Sequence, residues 1–402
     1  MADGVVAISG GRIVPITGDD IERGTVLIEN GKIAAVGAKV AIPDGARVVD
    51  ATGTWVLPGF IEAHGHVGVS EEAEGWAGQD TNEMTEPVTA HVRAIDAINP
   101  ADMGFRDAIS GGVLAVNVNP GSGNPIGGQT VALKCWGRTV DQMALRQPSG
   151  MKSALGENPK RVYGEQKKTP STRLGTAAVI RGALVDAANY LRRIEAEQAK
   201  PEAERKPVDR DLKLEALGKV LRREIPWRQH CHRADDIATA IRIADEFGYD
   251  LVIDHGTEAH LLADLLAARD IPVVIGPLLT SRSKVELRNR SLANPGRLAK
   301  AGVTIAITTD HPVVPINFLV HQASLAVKDG LDRETALRAL TINPARIAGI
   351  DDRLGSIEPG KDADLVLWSG DPLDVLSRAE LAFLDGVEVY SYSGGEAHFA
   401  EP

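Results

Sequence analysis

The sequence predicts an α/β protein: a (β/α)8 (TIM) barrel with a small β-sandwich domain built from both chain ends. Three observations predict it. Eight strand-like runs alternate with amphipathic helical patterns over about 255 residues, the size of such a barrel. Strand-rich segments stand at both ends of the chain, and histidines and carboxylates recur where the barrel runs end.

The first 57 residues read as short strands. "GVVAISGGRIVPI" and "GTVLIENGKIAAVG" are β-rich, and Asn30-Gly31 between apolar runs is a hairpin signal. Barrel strands are expected at 55–63, 112–118, 129–135, 150–156, 225–232, 250–256, 271–277 and 303–310. Helical patterns such as "AAVIRGALVDAANYLRRIEAEQ" and "ADDIATAIRIADEFG" separate them. Residues 196–224 are charge-dense and read as a solvated helical insertion. From "GSIEPGKDADLVLWSGDP" onward the β character returns. The expected division is therefore 1–57 plus 347–402 for the sandwich and 58–346 for a catalytic barrel.

Composition narrows the function. With 44 basic and 55 acidic residues, the net charge of −11 argues against nucleic acid or an anionic membrane as partner. No apolar run approaches the roughly 18 residues of a membrane helix, and the first residues lack a basic-then-apolar leader pattern. Two cysteines, Cys135 and Cys231, make no disulfide framework. A reduced, cytoplasmic setting is the expectation.

In such a barrel the C-terminal strand ends share one pocket, so metal-binding residue types are expected there. The first strand ends "EAHGHVG": His64 and His66 lie two apart and share a face, with Gly65 leaving room between them. The fifth ends "RQHCHR", placing His230 and His232 on one face and Cys231 on the other. The sixth ends "VIDHGTEAH" with His255, and the eighth "ITTDHPV" with Asp310 and His311. After the fourth comes "SALGENPKRVYG" with Glu157. Imidazoles and carboxylates so gathered suit a zinc-like ion. His91, His321 and His398 fall in helical or tail contexts, and His260 reads as a helix-start residue.

These motifs resemble the metal-dependent amidohydrolase superfamily, in its imidazolonepropionase-like group. "GTWVLPGFIEAHGHVG" is similar to its first metal motif, and "NPARIAGIDDRLGSIEPGKDADLVLW" to its return from barrel to sandwich. The resemblance implies that His64 and His66 bind the more buried metal, that His230 and His255 are further ligands, and that Asp310 contacts metal and water. It also implies a glutamate or a carbamylated lysine after strand four. Glu157 is preferred for lying just past the apolar run, with Lys152 in "GMKSAL" the alternative. One or two Zn²⁺ ions are implied, another divalent metal being the alternative, and a homo-oligomer is the expected assembly.

Such an ion activates water and polarises a carbonyl, and Asp310 serves as general base and then acid. The expected reaction is cleavage of a C–N bond in an amide, cyclic amide, N-acyl amino acid or dipeptide. A heterocycle deaminase is the alternative, but "HCHRADD" lacks a glutamate beside the strand-five histidine, leaving only Glu258 nearby. A metal-free scaffold of the same fold would have lost ligands, and every ligand position is filled. Candidate substrate contacts are Arg161, Tyr163, His232, Arg233 and His311. Glu83, Thr85 and Glu86 belong to a polar loop expected to cover the site. The glycine-rich "NVNPGSGNPIGGQ" lacks the lysine and spacing of a phosphate loop.

Overall fold

The computed structural model describes residues 4–402. The chain starts with β1 (Val6–Ile13), β2 (Ile21–Glu29), β3 (Lys32–Gly37), β4 (Arg47–Asp50) and β5 (Trp55–Pro58). The barrel strands are β6 (Phe60–Gly65), β7 (Val113–Val118), β8 (Ile126–Lys134), β9 (Ala144–Ala154), β10 (Trp227–Cys231), β11 (Leu251–His255), β12 (Val273–Ile275) and β13 (Ile305–Ile307). The chain closes with β14 (Leu365–Trp368), β15 (Ala379–Leu384), β16 (Val387–Ser393) and β17 (Glu396–Phe399).

The end segments meet as the sequence implies. β14 pairs antiparallel with β5, so nine strands from both chain ends hydrogen-bond as one sheet. Its core is apolar: Ile8, Ile13, Val26, Ile28, Leu365 and Phe383 pack together with little or no exposure. Residues 55–63, expected as a single strand, are shared between the two units. Gly59 divides them, and a side chain there would strike Leu114.

The eight barrel strands form one nearly closed sheet. β13 meets β6 through Thr308 Oγ1, which donates to the His64 carbonyl at 2.6 Å, and through the His66 amide, which donates to the His311 carbonyl at 2.9 Å. Seven strands run one way. β8, the third, is antiparallel to both neighbours, which departs from a strict (β/α)8 repeat. The cause is local, because no helix lies between β7 and β8 and only the single turn Val140–Met143 between β8 and β9. Parallel pairing needs a crossover of a dozen or more residues, whereas an antiparallel pair can be joined by a short turn. The glycine-rich stretch is that turn.

Between β9 and β10 the chain forms helices Arg173–Gln198 and Leu212–Leu221, which pack on each other. The charged residues 196–224 therefore span the end of the first helix, an irregular link and the second helix. No helix of the described residues is long and apolar enough to cross a membrane. Both cysteines are free and buried.

Candidate metal centre

Strand alternation brings His64, His66, Lys152, His230, His232, His255 and Asp310 to the wall of one cavity of about 520 Å³ at the barrel mouth. Ligand atoms of His64, His255 and Asp310 lie within 4.8 Å of one another. His66 Nε2 is 3.3 Å and His64 Nε2 is 3.5 Å from Asp310 Oδ1. The His230 and His255 ring centroids are 4.5 Å apart. Gly65 faces away from the pocket, and an added Cβ would make only ordinary contacts with Glu62 and Val116. The space between the two rings comes from the strand's alternation rather than from the missing side chain.

Three of the imidazoles are aimed by their other nitrogen. His66 Nδ1 donates to the Asn119 carbonyl at 2.7 Å, and His255 Nδ1 to the Gly276 carbonyl at 2.9 Å. Gly276 has φ +147, and a Cβ there would lie 2.2 Å from the Thr308 carbonyl, so that acceptor position is restricted to glycine. His64 Nδ1 stands 3.0 Å from Asp254 Oδ2, while Asp254 Oδ1 accepts from Arg228 at 2.8 Å. These bonds leave the Nε2 lone pairs of His66 and His255 bare toward the cavity. That is how metal-ligating histidines are held. His230 Nδ1 and His232 Nε2 are buried without any partner, a costly condition that a ligand relieves.

Electrostatics agree. Burial pushes His64, His230, His232 and His255 below the ordinary histidine range, so all four are neutral donors at pH 7. Burial opposes charge on Asp310, yet His255, His66 and His64 hold its carboxyl below the usual carboxylate range. Asp310 and His255 both take positive φ, +55 and +74, a strained conformation for residues with side chains.

The fourth strand supplies Lys152, not Glu157, to this cluster. Lys152 is 1% exposed and its Nζ lies 2.9 Å from His64 Nε2. Burial pushes its amine down to about 8. Glu157 opens helix Glu157–Glu165 after Gly156 turns the chain away, and it is not among the residues lining the cavity.

Among the substrate-contact candidates, Arg161 and His232 line the cavity. The other three do not. The Tyr163 hydroxyl is 2.6 Å from both the Glu86 carbonyl and Asn124 Oδ1, inside the core. Arg233 pairs with Asp235 at 2.8 Å on the surface. His311 alternates to the far side of Asp310, where its Nδ1 accepts from the Ile316 amide. In the loop over the site, Gln79, Thr81 and Asn82 reach the cavity. Glu83 instead bonds Thr85, and Glu86 pairs with Lys213. Glu258 is occupied by the Ala234 amide and Asn289. Sequence reading missed Lys284, Asn158, Asp254 and Arg228. Asp254 adjoins His255 in "IDHG" and was open to recognition; Lys284 lies in an irregular segment without periodicity.

A barrel whose strand ends converge oriented histidines and an aspartate on one pocket defines a hydrolase of the amidohydrolase class. The comparisons agree. The Amidohydrolase family model matches residues 216–395. The chain is 48% identical to an amidohydrolase from Thermotoga maritima MSB8 of known structure, covering 96% of this chain and 100% of that one at a TM-score of 0.93. It is 26% identical to an imidazolonepropionase of Cupriavidus pinatubonensis, over 91% of this chain and 86% of that protein. It is also 30% identical to the amidohydrolase tasK of Hapsidospora irregularis, over 94% of this chain, although it spans only 42% of that protein's length. The chain belongs to the amidohydrolase family and is a hydrolase acting on C–N bonds.

Proposed function

We propose that the chain cleaves the C–N bond of an amide, cyclic amide, N-acyl amino acid or dipeptide with Zn²⁺ held by His64, His66, Lys152, His230, His255 and Asp310. The observation that carries this reading is the set of neutral, buried imidazoles gathered with one carboxylate at the cavity, two of which, His230 and His232, have a buried nitrogen with no protein partner. Nitrogen and oxygen donors of this kind suit zinc. When bound, the ion brings the pKa of a water toward about 7 and polarises a substrate carbonyl.

The chain's own residues do the rest. Asp310, a carboxylate at the cavity wall, accepts the proton of the attacking water and passes it to the departing nitrogen, which leaves poorly unless protonated. His232, whose Nδ1 accepts from Thr257 Oγ1 at 2.9 Å, donates its Nε2–H to the substrate oxygen. Lys152 serves as its carbamate: an amine depressed to about 8 keeps a neutral fraction at pH 7 that can add CO2, releasing one proton. A deaminase reading lacks a comparable support, since Glu258 is already engaged by two donors.

The Asp310→Asn variant tests the assignment. Its turnover of amide substrates is expected to fall by about 10²–10⁴-fold, while elemental analysis finds metal largely retained. Turnover at the wild-type rate would refute the role given to Asp310.

A further inference from the structure

The cavity carries an excess of positive charge beyond the metal candidates. Arg161 and Lys284 line it, and among the described residues Asp310 is its only carboxylate. In a chain of net charge −11 this excess is local. Among the described residues, neither Arg161 nor Lys284 has a carboxylate within ion-pair distance. Lys284 projects from the segment between β12 and β13, and its one side-chain hydrogen bond, 3.2 Å, goes to Asn158 Oδ1. Asn158 Nδ2 lies 2.8 Å from Ser122 Oγ and 3.4 Å from His230 Nε2. One asparagine side chain therefore separates the ammonium from the metal-site ring. Arg161 follows Asn158 by one turn of helix Glu157–Glu165, on the same wall. Burial pushes the Lys284 ammonium below its ordinary value, despite support from Glu286 and Glu157. A partly desolvated cation without a contacting anion is unfavourable alone and gains most from a charged ligand.

We propose that Lys284 and Arg161 form a carboxylate-binding subsite, so that the amide substrate carries a carboxylate close to the scissile bond, as an N-acyl amino acid or a dipeptide does. The inference rests on C–N hydrolysis at the cluster and narrows its substrate class. Lys284 and the His230 ring both contact the Asn158 side chain, which places the cation beside the metal-site wall, and an α-carboxylate is separated from the amide nitrogen by a single carbon. Pro277, Leu287 and Val313 supply an apolar wall for the substrate's side chain. A lactam or heterocycle without an anionic group leaves both cations unpaired.

Calorimetry on the Zn²⁺-loaded Asp310→Asn protein, in which turnover is suppressed, compares N-acetyl-L-leucine with N-acetyl-L-leucinamide. The carboxylate form is expected to bind about ten- to a hundredfold tighter, the range of a charge-assisted hydrogen bond. Adding Lys284→Met is expected to remove most of that ratio by weakening the carboxylate form alone, and Arg161→Met a smaller part. Equal affinities, no binding of either probe, or a ratio that survives both substitutions overturns the subsite. A failure of the hydrolytic reading has a different signature: the preference persists, supporting the subsite, while wild-type protein cleaves neither probe.

Discussion

Lys134 at the end of β8 and Lys152 near the end of β9 are both almost wholly buried, and their surroundings are opposite. Because β8 runs against its neighbours, its last residue sits at the closed end of the barrel, whereas Lys152 stands at the mouth. Lys134 Nζ meets Asp362 and Asp364 at 2.9 Å and Asp385 at 2.7 Å. Asp362 is further engaged by Lys32 and Arg353. Burial works against the Lys134 charge, but the carboxylates outweigh it and its pKa is raised. Lys152 has a histidine nitrogen as its near partner and no carboxylate at ion-pair distance among the described residues; its pKa is lowered. The first lysine completes a compensated network joining barrel to end sheet. The second belongs to a set left incomplete by the protein alone. Buried charge that is fully matched signals architecture, and buried donors left bare signal a ligand.

The sharpest way to break this contrast is to replace each lysine by methionine. Lys134→Met strands the buried Asp364 and takes one cation from Asp362 and Asp385, and is expected to cost about 3–5 kcal/mol of stability, the usual penalty for removing one partner of a buried pair. The turnover of the folded fraction should be unchanged. Lys152→Met should do the reverse, removing metal and turnover without lowering the melting temperature of the metal-free protein. Identical behaviour of the two variants in paired melting and activity assays would erase the distinction.

A smaller effect appears with pH. In the metal-free native protein Lys152 titrates at about 8, below the ordinary 10.5 of an unfolded chain. Between these values the unfolded chain binds the extra proton, so stability rises with pH across that window. Below pH 8 the burial penalty is present in full. Urea titrations of metal-free wild type against Lys152→Met should diverge by about 3 kcal/mol over this range. Parallel curves would mean that the amine is not desolvated.

Much of this was legible in the sequence, for reasons visible in particular residues. Alternation alone placed His64 with His66 and His230 with His232 on shared faces, and strand ends are where a barrel gathers side chains. The direction of β8 escaped a reading tuned to periodicity, since a strand's pattern is the same in either direction; only the missing crossovers at 119–125 and 135–143 encode it. Lys152 ranks only as the alternative in the sequence because it sits inside an apolar run. On a strand near the barrel mouth that is where an inward-facing residue belongs. Glu157 followed the same run but was carried away by the Gly156 turn. Lys284 depends on the fold of an irregular segment, which no local pattern describes.

The central claim is that the cluster at the barrel mouth is a metal centre that drives C–N hydrolysis. Elemental analysis of protein purified without chelator, with turnover followed before and after chelator dialysis, tests it most directly. The account predicts at least one divalent metal per chain, lost together with activity and restored together by Zn²⁺. Undiminished hydrolysis by metal-free protein would contradict it.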